Sequence, residues 1–176
     1  AKASHCQSFA LQMSEGRSIA DVGPVSLLIA HQPTMRDALE TLIHYRHLIN
    51  PTLSMRIESH GEISIIREEL AVASRQASEL LLAVLLRFFR NILGEAWTPQ
   101  SVGFVHTPPT DVSDHRRIFG CPLEFNSASS SIVCETADLD RPNRQANAAF
   151  ATHARQFVDM QANATRTKLS DEVRQA

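Results

Sequence analysis

Val102, Phe104 and His106 stand at alternate positions, so in a strand their side chains share one face. An imidazole on such a face is either a hydrogen-bonded core group that orders the Thr107-Pro108-Pro109-Thr110 turn, or a recognition group in a pocket. A little further on, His115, Arg116 and Arg117 are adjacent. As solvated charges they need no partner; as recognition groups, the guanidinium fork of Arg116 or Arg117 suits a carboxylate. Glu40, His44 and His47 recur at i, i+4 and i+7, a spacing that can hold a metal. The apolar stripe of their helix points elsewhere, so the trio is expected in solvent and no metal is assigned. Asp111 and Asp114 are paired carboxylates that helix capping explains. The chain has no G-x-S-x-G elbow, no P-loop and no G-x-G-x-x-G, so an enzyme is not expected, nor a cofactor.

The elements that must position these residues can be read from periodicity and capping. Phe9 to Met13 reads as a short helix broken by Gly16, and Val22 to Ala30 as a buried helix after Asp21. Thr34 to Asn50 is the clearest helix, with Thr34 as N-cap, Asp37 three residues on, and Pro51 stopping it. Leu53, Met55 and Ile57 alternate with polar residues, then Ile63 and Ile65 alternate with Ser64. A turn through Ser59-His60-Gly61-Glu62 makes this a hairpin with one buried face. Gln76 to Leu93 is a long, very apolar helix closed by Gly94. Its Leu81, Leu85, Phe88 and Phe89 are candidates for a dimer surface, with a place in the core as the other reading. Then come the strand through Val102 to His106 and a short helix capped by Asp111 and closed at Gly120. Strands follow at Leu123–Phe125 and Ser131–Glu135. Asn143 to Ala176 is helical but polar, with Ser170 as the N-cap expected for a new helix near the end.

The fold class expected is α+β. A helical N-terminal part, a β-hairpin and a long apolar helix precede a mixed strand-helix-strand-strand unit, forming one small sheet packed by helices. The 176 residues fit one domain plus a tail, and 43% hydrophobic with 20% charged is enough apolar content for an ordinary core. A net charge of -2 argues against a strong nucleic-acid footprint on this chain alone. Cys6, Cys121 and Cys134 are odd in number without C-x-x-C, which predicts buried thiols in a reducing, cytoplasmic setting. The longest apolar run, Leu80 to Leu86, is far short of the roughly 20 residues a bilayer needs, so no membrane partner is expected.

The stretch Phe104-x-His106-x-x-Pro109-x-Asp111, then Phe119-Gly120-x-Pro122-x-x-Phe125, resembles a signature of AraC-family transcription regulators. It is similar to their N-terminal arabinose-binding class, found in ornithine-utilisation regulators, and Leu139-Asp140-x-Pro142 continues the pattern. Phe9-Ala10-Leu11, Asp21-Val22-Gly23, Pro33 to Leu39, and Trp97 to Val102 agree in order and spacing, so the resemblance covers residues 9 to 150. It departs where the family carries an aromatic residue and this chain has His115. The resemblance implies an effector-binding regulatory domain over residues 1–150, begun inside the domain. Residues 151–176 would be a helical linker toward a C-terminal helix-turn-helix DNA-binding domain that lies beyond this chain.

What the resemblance implies for function is small-molecule sensing and homodimerisation. DNA is a partner only through the further domain, whose seating on a promoter the effector would bias. The ligand-binding candidates are His106, Phe104, His115, Arg116 and Phe119. Two other readings stay open at this point. One is an effector-free dimerisation module; the other is a metal- or haem-binding sensor using His106 or the His44 and His47 pair.

Overall fold

The computed structural model describes residues 8–70 and 74–175, with residues from 163 described as backbone helix. Cys6 and the polar opening lie outside the described residues. The N-terminal part is helical: α1 (Phe9–Glu15), a single 3-10 turn (Ile19–Val22), α2 (Val25–Ala30), α3 (Met35–His44) and α4 (Arg46–Ile49). β1 (Leu53–His60) and β2 (Ile63–Leu70) form the hairpin, and α5 (Arg75–Leu93) follows. Then come β3 (Ser101–Phe104), α6 (Ser113–Phe119), β4 (Leu123–Phe125), β5 (Ser130–Glu135), α7 (Thr136–Leu139) and α8 (Ala148–Gln175). The expected α+β class is what the structure has: one sheet of order β1-β2-β5-β3-β4, antiparallel except for the β3–β4 pair that α6 bridges.

Local chemistry sets the boundaries. Thr34 and Asp37 form a reciprocal capping box: the Thr34 hydroxyl oxygen accepts from the Asp37 amide at 3.1 Å, and Asp37 accepts from the Thr34 amide at 3.2 Å. Gly120 ends α6 in the left-handed region at φ 65°, as its position after the helix predicts. Three expectations are corrected. The helix predicted over Thr34 to Asn50 is broken at Tyr45, which buries its ring and caps α3. The helix predicted over Val22 to Ala30 is interrupted by Gly23 at φ 71°, a conformation that ends the 3-10 turn and lets Pro24 open α2. No new helix begins at Ser170, because α8 runs through it.

The hairpin also turns its faces over. Ser64, Ile66 and Glu68 are buried, whereas Ile63 is 37% exposed. The two-residue turn at Gly61-Glu62 sets Ile57 opposite Ile66 and Met55 opposite Glu68, and directly paired residues share a face. Leu53 and Met55 face the core, so Ile66 and Glu68 must, and Ile63 and Ile65 are carried to the open face.

The helices cover the sheet face that carries Met55, Ile66, Ile132, Val102 and Phe104, with α5 as the central covering helix. Leu85, Phe88 and Phe89 are at most 3% exposed, and Leu81 is partly buried against the same core. Contacts within the chain thus already use the candidate dimer-surface side chains, Leu85, Phe88 and Phe89 fully and Leu81 in part. Trp97 stacks on Phe89 with ring centroids 4.7 Å apart and donates its indole N–H to Asp138 at 2.9 Å. Arg90 donates to the carbonyls of Trp97, Ile118 and Phe119, which fastens the C-terminal end of α6 to α5. The Leu139-Asp140-x-Pro142 stretch closes back on the N-terminal helices. Leu139 is fully buried, Asp140 accepts from Arg36 at 2.7 Å, and Pro142 bridges to Thr34. Burial pushes the Cys134 thiol up to about 12 and the Cys121 thiol to about 11, so both behave as small apolar groups. Among the described residues no helix is long and apolar enough to cross a membrane.

Candidate functional site

The sheet has a notch. β5 starts at Ser130, whose partner on β2 is Glu68; on the other side its last partner on β3 is Gly103. β2 runs on to Leu70, and the chain after β3 runs on through Val105 and His106, with no strand between them. The loop leading into β5 follows the β3 side instead: the amides of Ser127 and Asn126 donate to the carbonyls of Phe104 and His106 at 2.9 and 3.1 Å. Gly103 permits this close approach. A Cβ there would lie 3.2 Å from the Ser131 hydroxyl, 3.3 Å from that of Ser127 and 3.3 Å from the Ser129 carbonyl.

The notch opens a cavity of about 660 Å³ that reaches both sides of the sheet. From the helix-covered side it is walled by Glu68, Ser78, Ser130 and His106, and from the open side by Arg56, Arg67 and Glu69. Ser74 and Arg75, at the start of α5, and Val105, Ala128 and Ser129 complete the lining. Its size is that of a site for a small organic molecule. A smaller hollow of about 380 Å³ lies beside the C-terminal end of α5. Its polar walls, among them Arg87, Asn91 and Glu95, are exposed side chains, so it lacks a built interior.

The polar floor is buried. The Ser78 hydroxyl donates to Glu68 at 2.7 Å and lies 2.9 Å from the Ser130 hydroxyl, and all three residues are at most 8% exposed. Burial holds the Glu68 carboxyl above the ordinary carboxylate range, and the Ser78 hydrogen bond pulls it partway back. Arg67 spans the notch on the open side, bonded to Glu58 at 2.7 Å and to the Ser129 hydroxyl.

His106 forms the inner wall. Its Nδ1 lies 2.9 Å from the Thr107 carbonyl, which makes Nδ1 the donor, and its Nε2 has no hydrogen-bond partner. Behind it, Glu79 of α5 is wholly buried, its Oε1 2.9 Å from His115 Nε2, 3.4 Å from His106 Nε2 and 3.6 Å from Arg75 Nε. The other oxygen of Glu79 has no partner. His115 sits among aromatic rings, 5.6 Å from Phe104 and 5.7 Å from Phe125, and Phe104 packs against Phe119 at 5.4 Å.

The five candidate ligand-binding residues thus separate. His106 is in the cavity wall; Phe104, His115 and Phe119 form the packed ring cluster behind it; Arg116 is exposed and outside the lining. The expectation that His115 is a solvated charge is corrected, since its ring is the partner of a buried carboxylate. Arg117 is taken up by Glu15 and by Asp114 at 2.8 Å. Glu40, His44 and His47 are exposed, and among the described residues no group of three or more His, Cys, Asp or Glu is placed to hold a metal. Sequence reasoning missed Glu68, Ser78 and Glu79. A signal for Glu79 was present: it lies on the Leu82, Ala83 and Leu86 face, where an acidic residue in an apolar stripe requires a buried partner.

Three similarities bear on this site. The model of the arabinose-binding domain of AraC transcription regulators, N-terminal, matches residues 1–143. The HTH-type transcriptional regulator VirS of Mycobacterium tuberculosis, in strains CDC 1551 / Oshkosh and ATCC 25618 / H37Rv, is 21% identical over 174 residues. The match takes in 96% of this chain and 51% of VirS. The crystal structure of the transcriptional regulator CdpR from Pseudomonas aeruginosa superposes with a TM-score of 0.71 at 15% identity, over 82% of this chain and 49% of that one. At that identity the likeness is one of fold. The chain spans about half the length of the regulators it matches.

Proposed function

This chain belongs to the AraC transcription regulators through their N-terminal arabinose-binding domain, and from that membership we propose that it senses a small-molecule effector in the notch cavity. The family is one of transcription regulators and not a class of enzymes. The observation that carries the reading is the cavity of about 660 Å³ with His106 on its wall and Glu68, Ser78 and Ser130 as a buried polar floor. Effector pockets combine volume with a few fixed polar groups, and this cavity joins about 660 Å³ to a buried polar floor.

In the whole regulator, an effector that binds one arrangement of the domain better than another shifts the balance between them. The DNA partner belongs to the part of the regulator that this chain does not span, and a homodimer is the assembly we infer for it. Leu85, Phe88 and Phe89 of α5 fill the core of the chain, which favours a dimer contact elsewhere.

A thermal-shift screen against amino acids, sugars, fatty acids and aromatic acids tests the proposal. An effector present at 100 times its dissociation constant should stabilise the chain by about 2.7 kcal/mol. His106→Ala should lose the response while keeping a cooperative unfolding transition. A response that survives both His106→Ala and a bulky Ala128→Trp would move the site elsewhere.

A further inference from the structure

We propose that the molecule taken by this cavity is a small organic amine, held through its ammonium group by the Glu68 carboxylate; the inference rests on the cavity being the effector site. Three guanidiniums line the cavity, and each is matched from within the protein. Arg56 is matched by Glu58 at 2.9 Å and Glu69 at 3.0 Å, Arg67 by Glu58 at 2.7 Å, and Arg75 by Glu79 at 3.6 Å.

Glu68 is left over. It is 5% exposed, and no cationic side chain among the described residues comes within ion-pair range of it. Its surroundings are neutral: the Ser78 hydroxyl, Ser130 beside it on β5, and Met55 opposite it on β1. A carboxylate that has lost water and gained no cation is half of an ion pair. An ammonium supplies the other half, and its three N–H donors find acceptors in Glu68 and in the hydroxyl oxygens of Ser78 and Ser130. An anionic ligand would meet no unmatched cation here. A neutral polyol would satisfy the hydroxyls but draw nothing from the charge of Glu68.

Two variants and three kinds of probe separate these cases in isothermal titration calorimetry of the 176-residue chain. Putrescine, agmatine and tyramine are the amines, arabinose and mannitol the polyols, succinate and salicylate the carboxylates. We expect an amine to saturate the chain and Glu68→Gln to weaken it by about tenfold or more. That variant keeps an acceptor for Ser78 and removes a buried charge, so its unfolding midpoint should not fall. Ala128→Trp, at an exposed position on the cavity wall, should block the amine. Polyol or carboxylate binding that Ala128→Trp blocks and Glu68→Gln leaves unchanged overturns the amine while the effector site stands. Amine binding indifferent to Ala128→Trp overturns the cavity itself as the site. Failure of all three amines to bind overturns the amine proposal.

Discussion

Glu79 accepts the Nε2–H of His115 at 2.9 Å with both side chains wholly removed from solvent. The pair joins the first turns of α5 to α6 directly behind the cavity wall; the rings around His115 cannot replace Glu79, and the other cationic groups near Glu79 stand further off, His106 at 3.4 Å and Arg75 at 3.6 Å. Breaking a buried pair from one side leaves the other group stranded. His115→Leu or Glu79→Leu alone should each cost about 3–5 kcal/mol. The double Leu variant should recover most of that loss, because two apolar groups fill the space and Arg75, 30% exposed, can turn to water. A urea-unfolding double-mutant cycle measures the coupling, and simple additivity of the two losses would refute it.

The α5 stripe leads to a different expectation. Leu85 and Phe88 are 3% and 2% exposed inside the chain. Leu85→Ala and Phe88→Ala should therefore lower unfolding stability by about 3–5 kcal/mol. Light scattering on the folded fraction should show the oligomeric state unchanged. Dissociation of a stable assembly without loss of stability would return these residues to an interface.

Glu68 predicts the sign of a pH effect. Its carboxyl is raised in the folded chain, so the folded state holds that proton more tightly than the unfolded state does. The contribution to stability is complete below the unfolded value of about 4.3 and is lost as pH rises through the folded value. Glu68→Gln removes this dependence. The stability advantage of the Gln variant should widen as pH rises from about 4 and then level off. Denaturant titrations of both proteins across that range decide it, and a gap that narrows with rising pH would contradict the assignment.

Much of the frame was legible because it is set locally. Thr34 with Asp37, Gly120 after α6 and the Gly61 turn each act within a few residues, and the sequence shows such groups directly. The hairpin faces were not, since a run such as Ile63-Ser64-Ile65-Ile66 fits either register, and the partner strand chooses. The site was legible only at His106. Glu68 meets Ser78 and Ser130 across ten and 62 residues, and Glu79 meets His115 across 36, distances at which periodicity carries no information. Arg116, attractive as an anion partner by type, lies outside the cavity lining because α6 presents it to solvent and turns His115 inward.

The seating of α8 gives a small movement a long reach. The helix is held near its start by Ala154 and Val158, both buried, and by the Tyr45 hydroxyl donating to Asp159 at 2.8 Å. From Asp159 it runs on to Gln175. At 1.5 Å per residue that is a lever arm of about 24 Å, so a tilt of about 5° at the Tyr45 anchor swings the far end by about 2 Å. The far end of the helix is thus displaced several times further than side chains a few Å from the anchor.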